Sequence, residues 1–172
     1  AMTQQHAGTG ALGTAPSVLN AAGASAATVY GVFTGAAGAD AHYYRVTNVP
    51  MGAAVKAKAL SFSLYSRADV TVSLVDGAGT ALGSSIADVF PAAPGVGKYV
   101  NYDGSAAYTA AAAGDVYVKV AYAANFSAGL NAEGYSNMGR YPGAAAVDAL
   151  PFYHLMLTIN DASTLVQVGG AD

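Results

Sequence analysis

The chain has 172 residues, a formal net charge of −3, only 10% charged side chains and no cysteine. That length suits one domain with a real core, and the lack of cysteine excludes disulfides, thiol nucleophiles and thiolate zinc sites. A slightly acidic chain without a basic stripe offers no electrostatic footprint for DNA or RNA, and no apolar run reaches the ~18 residues of a transmembrane helix.

Residues 1–27 are rich in Ala, Gly, Ser and Thr without periodicity and are expected to form a flexible arm or linker, with only residues 16–20 docking. From Thr28 short β-type runs alternate with turn residues. Residues 28–34 and 43–48 are the first two candidates. A clearer strand is predicted at 59–65, where Leu60, Phe62 and Leu64 alternate with Ser61 and Ser63. Residues 70–75 follow, with Val70, Val72 and Leu74 on one face and Thr71 and Ser73 on the other. Asp76-Gly77-Ala78-Gly79 then signals a tight turn into a return strand at 80–83. After an insert at 84–105 comes a weaker strand at 106–111, whose alanines are too few before Gly114 to nucleate a helix. Val116, Val118 and Val120 mark a further strand. A second insert covers 123–150, and Tyr153, Leu155, Leu157 and Ile159 mark the last strand.

Seven to eight such strands predict an all-β, two-sheet antiparallel β-sandwich, jelly-roll-like, over residues 28–168, with two long loop inserts and a tail at 169–172. Long inserts in a compact domain are usually functional or disordered.

Four pieces of the chain, in this order, resemble the bacterial pre-peptidase C-terminal domain, a β-sandwich module appended to exported enzymes. They are residues 29–49 (VYGVFTGAAGADAHYYRVTNV) with the Pro50-Met51-Gly52 turn, 60–83 (LSFSLYSRADVTVSLVDGAGTALG) as a central hairpin, 113–120 (AGDVYVKV), and the closing strand at 153–159. The resemblance spans 28–160 and departs from the family in the two inserts. It implies a secreted or cell-surface bacterial protein and a noncatalytic accessory role: assisting secretion, shielding a partner enzyme, or holding it on a polymeric substrate. Some relatives bind calcium or collagen through acidic clusters. No signal peptide is legible, so export is an expectation from composition and resemblance.

Catalytic chemistry finds little support in the residues. A hydrolase needs a nucleophile, a base and a group that orients the base. The histidines are His6 in the arm and His42 and His154 on strands far apart in sequence, and Gly-x-Ser-x-Gly is absent. The one Glu, Glu133, stands among glycines and tyrosines in the second insert, where it is a candidate to orient a ligand hydroxyl; the Asp residues fall mostly in turns. For calcium the candidate ligands are Asp40, Asp69 and Asp148, supplemented by carbonyl oxygens.

Tyrosine is the most informative residue type, with 12 Tyr against 5 Phe and no Trp. Tyr44, Tyr117 and Tyr153 fall at strand positions suited to packing. Tyr99, Tyr102, Tyr122, Tyr135 and Tyr141 lie in or beside the inserts among Gly, Asn and Ser, the composition of recognition loops. Pinning the loops to the sandwich would use the same side chains. The expectation is a noncatalytic accessory domain that binds a polysaccharide, a collagen-like protein or a partner protein through these loops. Two alternatives stand beside it: a structural or adhesin subunit that self-associates through edge strands, and a small secreted hydrolase.

Overall fold

Apolar and polar positions alternate along the longer strands, and that alternation assigns each strand a core face. The computed structural model describes residues 2–5, 10–61, 64, 66, 68–86, 103–125 and 150–161. Its strands are β1 (Met2–Gln5), β2 (Ser17–Asn20), β3 (Ala26–Val32), β4 (Ala41–Val49), β5 (Ala54–Leu60), β6 (Ala68–Val75), β7 (Ala81–Leu82), β8 (Ser84–Ile86), β9 (Ser105–Thr109), β10 (Gly114–Asn125) and β11 (Phe152–Ile159). A short 3-10 turn at Leu12–Thr14 precedes β2, and no α-helix occurs among the described residues.

Two sheets form: one of six strands in the order β1-β3-β11-β5-β9-β8, and one of five in the order β2-β4-β10-β6-β7. The all-β, two-sheet sandwich is therefore the architecture, built from more strands than the seven or eight expected. Pairing is antiparallel except at one side of each sheet, where β1 lies parallel to β3 and β2 parallel to β4. Both exceptions come from the predicted arm. Over these strands the arm is part of the sandwich, and Val18 and Leu19 are buried in its core. The last strand, β11, sits in the middle of its sheet, between β3 and β5.

The core is lined by Val70, Val72 and Leu74 of β6, by Val116, Val118 and Val120 of β10, and by Leu155, Leu157 and Ile159 of β11, all on the faces the alternation predicts. Each fully buried Val or Leu contributes about 1.5–3 kcal/mol relative to its exposed state.

The strand expected at 59–65 is displaced. β5 covers Ala54–Leu60, its inward residues are Val55, Ala57 and Ala59, and Leu60 faces outward. Small alanines alternating with Lys56 and Lys58 fill the interior here, whereas the larger side chains of 60–64 misled the phase. The chain turns after Leu60, the N–H groups of Leu64 and Ser66 both donating to the Ser61 carbonyl. β5 and β6 then fall in different sheets, so residues 60–83 cross the sandwich and only β6 and β7 pair as a hairpin. The turn between those two is held by the Asp76 carboxylate, which accepts from Ala78 N (2.9 Å) and Thr80 N (2.8 Å).

A tie between the two sheets lies just before β9. Buried Asp103 accepts from Ser61 N at 2.7 Å through Oδ1 and bridges to Val70 of the opposite sheet. At Gly104 a Cβ would lie 2.6 Å from the Val70 carbonyl oxygen, so only glycine permits the backbones to approach this closely.

Candidate functional site

Two places concentrate functional side chains: a polar knot inside the sandwich and the solvent face of the six-stranded sheet.

The knot follows from register. His42 and Tyr44, two residues apart on the inward face of β4, both reach across the core to Tyr153 of β11. The Tyr153 hydroxyl lies 2.6 Å from His42 Nδ1 and 2.5 Å from the Tyr44 hydroxyl. Both contacts are satisfied when Tyr44 O–H donates to the Tyr153 oxygen and Tyr153 O–H donates to Nδ1 of a neutral His42. Burial favours that neutral form, lowering the His42 pKa, with the Asp40 carboxylate nearby acting weakly the other way. Burial likewise pushes the Tyr44 and Tyr153 phenols up, Tyr153 far beyond the ordinary tyrosine range. Phe33 covers the knot, 4.7 Å from the His42 ring and 5.0 Å from Tyr153. Space for Tyr153 is made by Gly31, its cross-strand partner on β3, where a Cβ would stand 2.2 Å from the Tyr153 Cζ.

Tyr122, expected in a recognition loop, belongs to this interior. It lies on β10, 2% exposed, with its ring stacked 4.9 Å from Phe33. A ligand at the surface does not meet it. The sequence held the signal, because Tyr122 continues the inward series Val116, Val118, Val120. The other loop candidates, Tyr99, Tyr102, Glu133, Tyr135 and Tyr141, lie outside the described residues, as do Asp148 and His6.

Of the calcium candidates, Asp40 closes its own loop by accepting from Thr34 N (3.1 Å) and Gly35 N (2.7 Å) through Oδ2. Asp69 sits on β6 opposite Ala124 of β10. Among the described residues no three His, Asp or Glu side chains converge on one point.

The hydrolase expectation needed a histidine beside a serine or a carboxylate. His42 is instead bonded to a phenol, and the ring of His154 lies flat on Tyr30, with centroids 4.2 Å apart at an interplanar angle of 14°. Neither is hydrogen-bonded to a serine or carboxylate among the described residues.

The Tyr30–His154 stack opens the second place, which sequence reasoning missed. Tyr30 and Val32 point outward from β3 and are 43% and 45% exposed. Their direct cross-strand neighbours on β11 are His154 and Phe152, and His154 is flanked on its other side by Leu60 of β5. The inward position between them is Gly31, whose lack of a side chain hid the phase of β3 in the sequence. The solvent face of the five-stranded sheet differs. There Lys119 sits over the Tyr43 ring at 6.0 Å and Arg45 pairs loosely with Asp115 at 3.9 Å, so its charges are partnered within the face.

No protein-family model matches the chain, and no curated protein does. Among solved structures it is similar to PliG of Aeromonas hydrophila, a periplasmic lysozyme inhibitor of g-type lysozyme, at 15% identity and a TM-score of 0.39, over 84% of this chain and 97% of that one. The functional assignment rests on this chain's own side chains.

Proposed function

We propose that this domain is a noncatalytic binding module, an accessory part of an exported bacterial protein that engages a polymer or a partner protein. One observation carries the proposal. The solvent face of the six-stranded sheet bears a half-exposed aromatic and aliphatic stripe, Tyr30 and Val32 beside His154, Phe152 and Leu60. A sandwich needs only one apolar face per sheet for its core, and the other is ordinarily polar. Large apolar side chains held rigidly in a sheet give contact area at little entropic cost, which is what a recognition surface requires. The order of motifs resembling the pre-peptidase C-terminal module supports the same accessory role. By composition, Tyr99, Tyr102, Tyr135 and Tyr141 of the two sequence inserts, together with Glu133, extend the proposal to a second set of contacts.

A retention screen tests it, with the purified chain passed over cellulose, chitin and collagen in the presence and absence of calcium. Three proteins are compared: the unaltered chain, Tyr30→Ser/Val32→Ser, and Tyr135→Ala/Tyr141→Ala. Retention lost in the first variant assigns recognition to the sheet face, and retention lost only in the second assigns it to the loops. Turnover of any matrix would overturn the noncatalytic assignment.

A further inference from the structure

We propose that Tyr153 is a buried site of reversible one-electron oxidation, with His42 as the base that receives its proton. This goes beyond the binding assignment and uses side chains which that assignment leaves idle.

The first argument is the pairing of an electron donor with a base. The chain has no Cys and no Trp, so its readily oxidised side chains are 12 Tyr and 4 Met. A phenol gives up an electron readily only if its proton leaves as well, because the radical cation is a very strong acid. Burial closes the ordinary route through the phenolate, since it pushes the Tyr153 phenol far above the range in which water could take the proton. A base inside the core is therefore required, and one is in place. The Tyr153 hydroxyl lies 2.6 Å from His42 Nδ1, and burial keeps that imidazole neutral and able to accept.

The second argument is where the charge goes. The electron passes from Tyr153 to the oxidant, the Tyr153 O–H bond breaks, and an N–H bond forms at His42 Nδ1. The products are a neutral tyrosyl radical, an imidazolium and the oxidant reduced by one electron; an incoming electron runs the step backwards. The imidazolium has the Asp40 carboxylate nearby, which favours the cation, and that carboxylate is fixed by Thr34 N and Gly35 N. The radical oxygen keeps two donors, His42 Nδ1–H and Tyr44 O–H, the second at 2.5 Å. Both are already in position, so little has to reorganise.

The third argument is access. Tyr153 and Tyr44 are fully buried and His42 nearly so. A phenol and imidazole so enclosed cannot serve as nucleophile and base, because no substrate atom reaches them. An electron needs no such contact, and here it has one strand layer to cross. The Tyr153 ring lies against the Gly31 backbone, and beside Gly31 in β3 stands Tyr30, half-exposed and stacked on His154. The oxidant that fits is an outer-sphere one-electron acceptor, such as a high-potential metal complex, meeting this face from solvent.

The test oxidises the full chain with photogenerated tris(bipyridine)ruthenium(III), persulfate being the terminal acceptor, and follows the radical by electron paramagnetic resonance. The folded chain is expected to give a tyrosyl radical that outlives the one formed in the urea-unfolded chain, and ascorbate should return it to the phenol. Tyr153→Phe should lose the long-lived signal, while Tyr117→Phe keeps it. His42→Gln, whose amide accepts a hydrogen bond but not a proton, should form it about a hundredfold more slowly. A long-lived signal that survives Tyr153→Phe, or that forms as fast in His42→Gln, would overturn the site, and so would a folded chain whose radical decays as fast as in urea. Where circular dichroism shows that either variant has not folded, the unaltered chain decides. Its radical should couple to two protons that exchange in deuterium oxide, those of His42 and Tyr44, and coupling to fewer would overturn the assignment. Retention in the screen above is independent of these results.

Discussion

At the scale of single residues, the Tyr153 hydroxyl holds the two sheets together by a polar contact within an apolar core. Replacing Tyr153 with Phe leaves His42 Nδ1 and the Tyr44 hydroxyl buried without partners. We expect a loss of about 3 kcal/mol in urea unfolding, against a small effect for the half-buried Tyr117→Phe. Gly31→Ala places its methyl into the Tyr153 ring and should cost about 2–3 kcal/mol. In the double variant with Tyr153→Ala the clash is gone, so the two losses should sum to less than their separate values. The pH dependence follows from the same groups. Burial lowers the pKa of both His42 and His154, so below the unfolded-state value of about 6.5 the unfolded chain binds protons that the folded chain refuses. Stability is therefore full above that pH and falls as pH drops through it toward the lowered folded-state values; a urea midpoint that does not fall between about pH 7.5 and 5 would refute this. At the alkaline end the sign reverses. Tyr44 and Tyr153 have raised values, the folded state keeps protons that the unfolded state releases above about pH 10, and phenolate absorbance from these two should appear only on unfolding.

Among the elements, the strands legible in the sequence were those in which branched or long apolar residues alternate with hydroxyls, as in β6, or with Lys and Tyr, as in β10. The face of β5 was not legible because its interior positions Ala57 and Ala59 are small, and the larger Leu60 and Phe62 set a stronger alternation in the opposite phase. β1 escaped notice, and β2 was legible only as the docking segment at 16–20, because strands of four residues joined in parallel leave too short a pattern to distinguish from linker. The exposed stripe escaped for a related reason: Tyr30 and Val32 look like core residues until Gly31 is seen to be the inward one. The inter-sheet tie at Asp103 was also hidden, since an Asp before Gly reads as an exposed turn while this one is buried. Asp103→Ala should cost about 2 kcal/mol by orphaning the Ser61 N–H, and Asp103→Asn, which retains an acceptor, should recover most of it in the same denaturation assay.

For the whole molecule, what was legible was the architecture; the location of the exposed apolar stripe was not. The two solvent faces divide the charge unevenly. One sets Arg45 against Asp115 and Lys119 over Tyr43, while on the other Lys56 Nζ donates to the Asp161 carbonyl at 3.3 Å and the strands themselves carry Lys56 and Lys58 without an Asp or Glu. Removing residues 150–172 should abolish cooperative unfolding altogether, because it takes out a central strand and leaves the flanks of β3 and β5 unpaired; circular dichroism during urea titration would show this directly. The position of β11 also sets an order of events in time. Its neighbours β3 and β5 precede it by about a hundred residues or more, yet neither has its inner partner until residues 152–159 have cleared the ribosome, so the six-stranded sheet closes only after β11 is made. Long-range closure of this kind is slow.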